Sequence, residues 1–171
     1  MTDALAWRKI FAVIGPSTNT VVQPDMEGMR PAGVTNQYRD IYVEDPVALS
    51  NADFEAGTGQ IANGLKDCFR TALTCKPDYL VMGVSAISFV GGLQGATQFV
   101  KDVEEFTKLK VSVGSIAVAD ALKAYGGIKR IAFISPYHDL DHAFHILYPL
   151  SHCPRCPLKH DIPVCFRQIR L

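Results

Sequence analysis

The chain has 171 residues, with 17 basic and 17 acidic side chains, and 48% of its residues are hydrophobic. This length suits one domain with a core of its own. The balanced charge lacks the basic excess expected of a protein that binds nucleic acid. No apolar run approaches the roughly 20 residues of a membrane span, and the first residues do not resemble a signal peptide. We therefore expect a cytoplasmic protein with no nucleic-acid or membrane partner.

Five apolar segments are predicted to be β-strands, and amphipathic segments between them are predicted to be helices. A long helix is predicted over 51–74, because apolar residues recur there at helical spacing. Alternating strands and helices indicate an α/β fold with a parallel sheet flanked by helices on both faces, a flavodoxin-like or Rossmann-like three-layer lobe over 1–150. The predicted strands are Arg8–Ile14, Val34–Val43, Tyr79–Met82, Lys110–Val113 and Arg130–Ile134.

Polar turns follow the first, third and fifth predicted strands. They are Pro16–Thr20, Gly83–Ser88 and Ser135–Tyr137. Small and hydroxylated residues there allow the backbone to approach a ligand closely. Because the carboxyl ends of parallel strands share one edge of a sheet, we expect the three turns to form a binding site together.

The last segment, 151–171, is rich in Cys and Pro and has no helix or strand period, so we predict an irregular tail. Cys153, Cys156, His160 and Cys165 have the spacing C-x2-C-x3-H-x4-C, which resembles a zinc-binding pattern. A zinc knuckle has four residues before its His and usually a Gly, whereas this segment has three and no Gly. We therefore favour the irregular tail and predict no metal.

The other cysteines and a histidine cluster have ordinary structural explanations. Cys68 lies in the apolar stripe of the long helix and Cys75 at its end, so both are predicted to be inert. His138, His142 and His145 share one helix face but lack an HExxH pattern, and neighbouring acidic residues indicate a solvated face.

Four motifs in colinear order carry a resemblance to a known family. GPSTNT, PAGVT, LVMGVSAISFVGG and RIAFISPY resemble the aspartate/glutamate racemase superfamily, in particular the branch with maleate cis-trans isomerase and arylmalonate decarboxylase. The resemblance covers Arg8 to Leu150. It implies an enzyme without cofactor or metal, built from two similar α/β lobes. It further implies an isomerase, racemase or decarboxylase reaction on a small dicarboxylic acid, with a cysteine acting beside a hydrogen-bonded carboxylate.

The resemblance also implies which residues bind the substrate carboxylate. Asn19 and Ser17 come from the first motif, Ser85 from the third and Tyr137 from the fourth. The residues alone favour a helix cap for Asn19, and Ser85 equally fits a tight turn.

The sequence departs from the family at the positions that would carry the chemistry. Val84 stands where the isomerases and racemases have their first cysteine, and Ala86 where the decarboxylase has a second hydroxyl. No second lobe with its cysteine is recognisable. We therefore expect only the first lobe, with an apolar face left exposed and self-association through that face. The alternative is a non-catalytic carboxylate-binding or truncated remnant protein.

Overall fold

The computed structural model describes residues 4–44, 51–84, 86–126, 130–135 and 165–170. The described strands are β1 (Lys9–Pro16), β2 (Val34–Ile41), β3 (Tyr79–Met82), β4 (Val111–Val113), β5 (Arg130–Ser135) and β6 (Cys165–Arg170). The described helices are α1 (Val22–Gly28), α2 (Asn51–Leu73), α3 (Ala86–Phe89), α4 (Gly92–Thr107) and α5 (Gly114–Tyr125). None of the helices in these ranges is both long and apolar enough to span a bilayer.

Four of the strands form one parallel sheet in the order β2-β1-β3-β4. Strand β1 is an interior strand: Lys9 to Pro16 align with Val34 to Ile41 of β2, and Phe11 to Ile14 align with Tyr79 to Met82 of β3. The connection from β1 to β2 and the connection from β2 to β3 run in opposite directions across the sheet. Right-handed crossovers therefore place α1 and α2 on opposite faces. The α/β fold with a helix-flanked parallel sheet is confirmed.

The prediction that this sheet has a fifth strand is wrong. Arg130–Ser135 is extended, as its β-branched composition indicates, but it pairs antiparallel with Cys165–Arg170 in a separate two-stranded sheet. The partner strand lies inside 151–171, where the Pro-rich sequence gave no strand signal. Local composition predicts that a segment is extended and leaves its partner undetermined, because strand pairing is a long-range interaction.

The core lies between the sheet and α2. The apolar stripe predicted for this helix is buried, and it contacts Ala12 and Ile14 of β1 and Leu80 of β3 in one cluster. The strands β1 and β3 carry near-continuous apolar runs because both faces of a parallel sheet are covered. The helical residues of the stripe are Ile61, Leu65, Cys68, Phe69 and Ala72.

Asp78 ties β1 to the beginning of β3 at the amino edge of the sheet. Its carboxylate accepts a hydrogen bond from the Ile10 N–H (2.8 Å) and one from the Lys9 ammonium (3.1 Å). The Asp78 N–H donates in return to the Ile10 carbonyl (2.8 Å). The Ile10 N–H, and secondly Lys9, hold the pKa of the Asp78 carboxyl below its usual value.

We expect Asp78→Asn to lower stability at neutral pH but not in acid. Because the pKa of Asp78 is lower in the folded state, its contribution is present above the unfolded-state pKa and is lost as the pH falls through the folded-state value. The Asp78 side chain is 38% exposed, so solvent screening limits the difference to under about 1 kcal/mol. Urea unfolding of both proteins between pH 7 and pH 3 measures it.

Asp67→Asn is the matched control. The Asp67–Arg70 ion pair is more exposed and lies within one helix, so its loss should change stability little. A stability difference between wild type and Asp78→Asn that persists unchanged at pH 3 would show that the carboxylate charge is not its source.

Candidate functional site

The carboxyl edge of the sheet has its topological switch point between β1 and β3. The chain leaves β1 toward β2 on one side, and β3 adjoins β1 on the other, so the loops after β1 and β3 diverge to opposite faces. Such a division leaves a crevice in which open α/β proteins bind ligands. The residues at this point are Ser17–Val21, after β1, and Gly83–Val84, after β3. Two of the three predicted turns therefore meet at one edge.

Gly83, directly after β3, lies close to strand β1 and to the first turn of α1. The Gly83 N–H donates to the Ile14 carbonyl (2.6 Å). A Cβ built on Gly83 would lie 2.5 Å from Cγ1 of Val22, in the first turn of α1. Gly83 is therefore required by the approach of α1 to the end of β3, because any side chain there would displace Val22.

Asn19 precedes α1 and accepts hydrogen bonds from the N–H groups at its beginning. Its Oδ1 accepts hydrogen bonds from the N–H groups of Val21 (2.8 Å) and Val22 (3.1 Å), and its own N–H donates to the Pro16 carbonyl (2.9 Å). Val21 is the N-cap residue by position and its side chain makes no cap hydrogen bond, so Asn19 acts from two residues earlier as the acceptor for the first N–H groups of α1. The cap uses only Oδ1, and the Nδ2 group has no hydrogen-bond partner among the described residues. The side chain is exposed, so this amide group can still donate to a ligand oxygen.

Ser17 is engaged with the segment that follows β2. Its N–H donates to the Ile41 carbonyl (2.8 Å), and its hydroxyl accepts from the Val43 N–H (2.9 Å). The hydroxyl also lies 3.5 Å from the Val43 carbonyl, the outer limit for a hydrogen bond. The structure thus gives the Ser17 hydroxyl a backbone partner at the candidate site.

The remaining predicted site residues are only partly described. Val84 is buried in the core cluster, so this position presents an aliphatic side chain and no thiol. Ser85 and Tyr137 lie outside the described residues. The turn containing Tyr137 was expected at the same edge because β5 was expected in the parallel sheet. Since β5 pairs with β6 instead, that reason no longer holds.

The two thiols whose surroundings are described lie away from this edge. Cys68 is buried on α2, and burial, followed by the Asp40 carboxylate, raises the pKa of its thiol to about 11, while Arg39 opposes the shift. Cys75 follows α2 and precedes β3, at the amino edge, and its thiol donates to the Ala72 carbonyl (3.2 Å). Neither is placed to act on a ligand at the switch point. The described residues hold no cluster of three His, Cys, Asp or Glu side chains suited to a metal ion, and Cys153, Cys156 and His160 lie outside the described residues.

The sequence reasoning missed two features at the carboxyl edge. Ser115, in the first turn of α5 after β4, is 1% exposed, and its hydroxyl has no hydrogen-bond partner within the described part of the chain. Exposed apolar side chains also occur on segments that leave the carboxyl ends of the first three strands, and we call them the apolar rim. They are Val21, Tyr42, Val90 and Leu93. A serine directly after a strand was a usable signal for Ser115, whereas single apolar residues in loops give none.

A comparison with known protein families found no matching model, and a search of curated proteins found no match. Among solved structures, the chain is similar to maleate cis-trans isomerase of Nocardia farcinica, in a cysteine-to-serine mutant with a covalently bound succinylcysteine intermediate. The TM-score is 0.54 at 15% identity, over 68% of this chain and 48% of that one. The likeness shows a shared fold, and the chain spans about half the length of that isomerase.

We expect Gly83→Ala to destabilise the protein by about 1–3 kcal/mol, because the new methyl group would overlap Val22. In the double variant Gly83→Ala/Val22→Ala, residue 22 no longer has the methyl groups that overlap the new Cβ of residue 83, so most of this loss should be recovered. Gly59→Ala, in α2, is the control, since nothing lies within 4 Å of its added Cβ. It should raise stability by roughly 0.5–1 kcal/mol. Thermal unfolding of the four proteins measures these differences, and equal losses in the single and double variants would contradict the contact.

We expect Cys68 to resist alkylation in the native protein and Cys75 to react faster. At pH 8 a thiol with a pKa near 11 is ionised in roughly one molecule in a thousand, and only the thiolate is a good nucleophile. Iodoacetamide labelling followed by peptide mass spectrometry resolves each cysteine, and labelling in urea is the control. Because the folded-state pKa is raised, Cys68 supports folding below the unfolded-state pKa and this support is lost as the pH rises toward 11. Rapid native labelling of Cys68 at pH 8 would contradict the assignment.

Proposed function

We propose that this chain is a carboxylate-binding lobe of a cofactor-independent enzyme, of the isomerase, racemase or decarboxylase type, that acts on a small dicarboxylic acid such as maleate. The single observation that carries the proposal is Asn19: on a fold shared with maleate isomerase, its amide is oriented by the cap and keeps the Nδ2 donor free at the switch point. Ser85 and Tyr137 are proposed as further donors to the same carboxylate.

The proposed site binds a carboxylate through neutral groups. No Lys or Arg occurs in 10–29, which contains the loop after β1, or in 77–100, which contains the loop after β3. Amide and hydroxyl donors are suited to stabilise the negative charge that develops on a carboxylate when its neighbouring carbon loses a proton or is attacked, because they favour the oxyanion without forming an ion pair in the ground state.

The reaction also needs a nucleophile or proton carrier. A thiolate that adds to one alkene carbon of maleate moves the electron pair of the double bond onto the other carbon and its carboxylate. The molecule can then rotate about the resulting single bond, and the same electron pair re-forms the double bond and expels the thiolate as fumarate forms. The related isomerase forms a succinylcysteine intermediate. Position 84 is a valine, and Cys68 and Cys75 lie away from the candidate site. We therefore propose that the thiol comes from outside the described residues or from a second protein chain.

Self-association is proposed through the apolar rim. Val21, Tyr42, Val90 and Leu93 are each more than half exposed, and all four lie on segments that leave the edge with the candidate site. An exposed apolar surface of this kind is typical of an interface. A second copy that covers it would exclude water from the bound ligand and could contribute a thiol.

We expect the purified protein to convert maleate to fumarate, observed by proton NMR in deuterated water, with aspartate and phenylmalonate as parallel substrates. Asn19→Asp is the informative variant. An Asp carboxylate caps a helix as well as Asn does, but it replaces the Nδ2 donor with a negative oxygen that repels the ligand. We therefore expect unchanged thermal stability and at least a roughly 100-fold loss of conversion, on the scale of one lost oxyanion donor.

Asn19→Ala is the matched control, because it removes the cap as well and should cost about 1 kcal/mol of stability. If none of the three compounds changes but maleate shifts the Asn19 side-chain resonances saturably, the non-catalytic carboxylate-binding alternative is correct. If Asn19→Asp binds maleate as wild type does, Asn19 is a cap only and the proposed site is wrong.

A further inference from the structure

The Ser17 hydroxyl takes the place of a backbone acceptor in the sheet. In a parallel pair, the residue that follows Pro16 on β1 donates its N–H to Ile41 and accepts with its carbonyl from the N–H of Val43. The first bond is present, from the Ser17 N–H to the Ile41 carbonyl (2.8 Å). The second bond is made by the side chain, with the Val43 N–H donating to the Ser17 hydroxyl (2.9 Å).

This substitution allows β1 to end while the segment after β2 stays attached. The backbone of β1 turns away at once, because the Asn19 N–H donates to the Pro16 carbonyl (2.9 Å) and closes a tight turn before α1. A backbone carbonyl that turned with it would leave the Val43 N–H without an acceptor in a buried position, which costs free energy. The hydroxyl, reaching back from the turn, satisfies that N–H.

Tyr42 lies between the two backbone groups that Ser17 holds. Its neighbours Ile41 and Val43 are buried in the core cluster with α2, so the alternation of an extended chain directs Tyr42 to the opposite face of the sheet. Because right-handed crossovers place α1 and α2 on opposite faces of the sheet, that face is the one that α1 covers. Tyr42 is 72% exposed, and the bonds from Ser17 to Ile41 and from Val43 to Ser17 place it in register with Ser17.

We propose that Ser17 is a positioning residue: by holding Ile41 and Val43 it fixes Tyr42 as a wall of the ligand crevice, and Tyr42 rather than Ser17 contacts the bound carboxylic acid. This inference rests on the proposed function for the ligand itself. The contact between the Ser17 hydroxyl and the Val43 N–H does not depend on that function. The two hydrogen bonds of Ser17 hold the backbone on both sides of Tyr42, and a tyrosine presents both a ring face and a hydroxyl to a small ligand.

The contact to Val43 is tested by amide hydrogen exchange of the full chain followed by NMR. Ser17→Ala removes the acceptor, so the Val43 N–H should exchange at least tenfold faster, while the Leu80 N–H, which donates to Lys110 in the sheet (3.0 Å), keeps its rate. Ser17→Thr retains a hydroxyl and should restore protection of Val43. Thr18→Ala removes the neighbouring hydroxyl and should leave the Val43 rate unchanged. Equal Val43 exchange in wild type and Ser17→Ala overturns the proposal.

The role of Tyr42 is tested by a double-mutant cycle on maleate affinity, measured by NMR titration. If Ser17 acts through Tyr42, then Ser17→Ala, Tyr42→Ala and the double variant should weaken binding by a similar factor, about tenfold or more, because the second substitution removes nothing further. Additive losses would mean that Ser17 contacts the ligand itself and would overturn the positioning role. If wild type does not bind maleate, the proposed function and the role of Tyr42 as a ligand wall both fail, and the exchange experiment still decides whether Ser17 holds Val43.

Discussion

Strand β1 is hydrogen-bonded to a parallel neighbour along each edge, and the position of the candidate site follows from that constraint. Because both neighbours run parallel to β1, no tight hairpin can join them to it, so the chain must leave the carboxyl end of β1 and cross one face of the sheet before the next strand begins. The chain crosses one face of the sheet to reach β2 and crosses the opposite face to reach β3. The loops after β1 and β3 are consequently separated at one point, which is where Asn19 and Gly83 lie.

The end of β1 presents a backbone problem that short polar side chains solve. The N–H groups at the beginning of α1 and the N–H of Val43 all lack a regular backbone acceptor there. Asn19 supplies Oδ1 to the first group and Ser17 its hydroxyl to the second. A structural role of this kind does not exclude ligand binding for Asn19, because the cap uses the amide oxygen and leaves the amide nitrogen. The Ser17 hydroxyl has both of its described contacts on Val43: it accepts from the Val43 N–H (2.9 Å) and lies 3.5 Å from the Val43 carbonyl.

The chemistry that a dicarboxylate enzyme needs is divided unevenly over this chain. The described part provides neutral donors and a narrow approach at Gly83, while its two characterised thiols are in the wrong places for catalysis. Cys68 is held neutral by burial within the core, and Cys75 lies at the opposite edge of the sheet. Under the proposed function, the described part of the chain supplies the groups that bind the carboxylate, and we propose that a second unit at the apolar rim completes the site.

The sequence by itself determined the local structure. The strands β1 to β4, the long helix α2 with its buried stripe, and the polar turns after β1 and β3 all follow from hydrophobic periodicity and from Gly and Pro positions, which act between neighbours in the chain. The tertiary structure alone decided the partners. It placed β5 beside β6 rather than in the parallel sheet, joined the Ser17 hydroxyl to Val43, 26 residues away, and brought Val22 against Gly83. Such contacts depend on how segments that are distant in the sequence pack together, and the local pattern of residue types does not determine that packing.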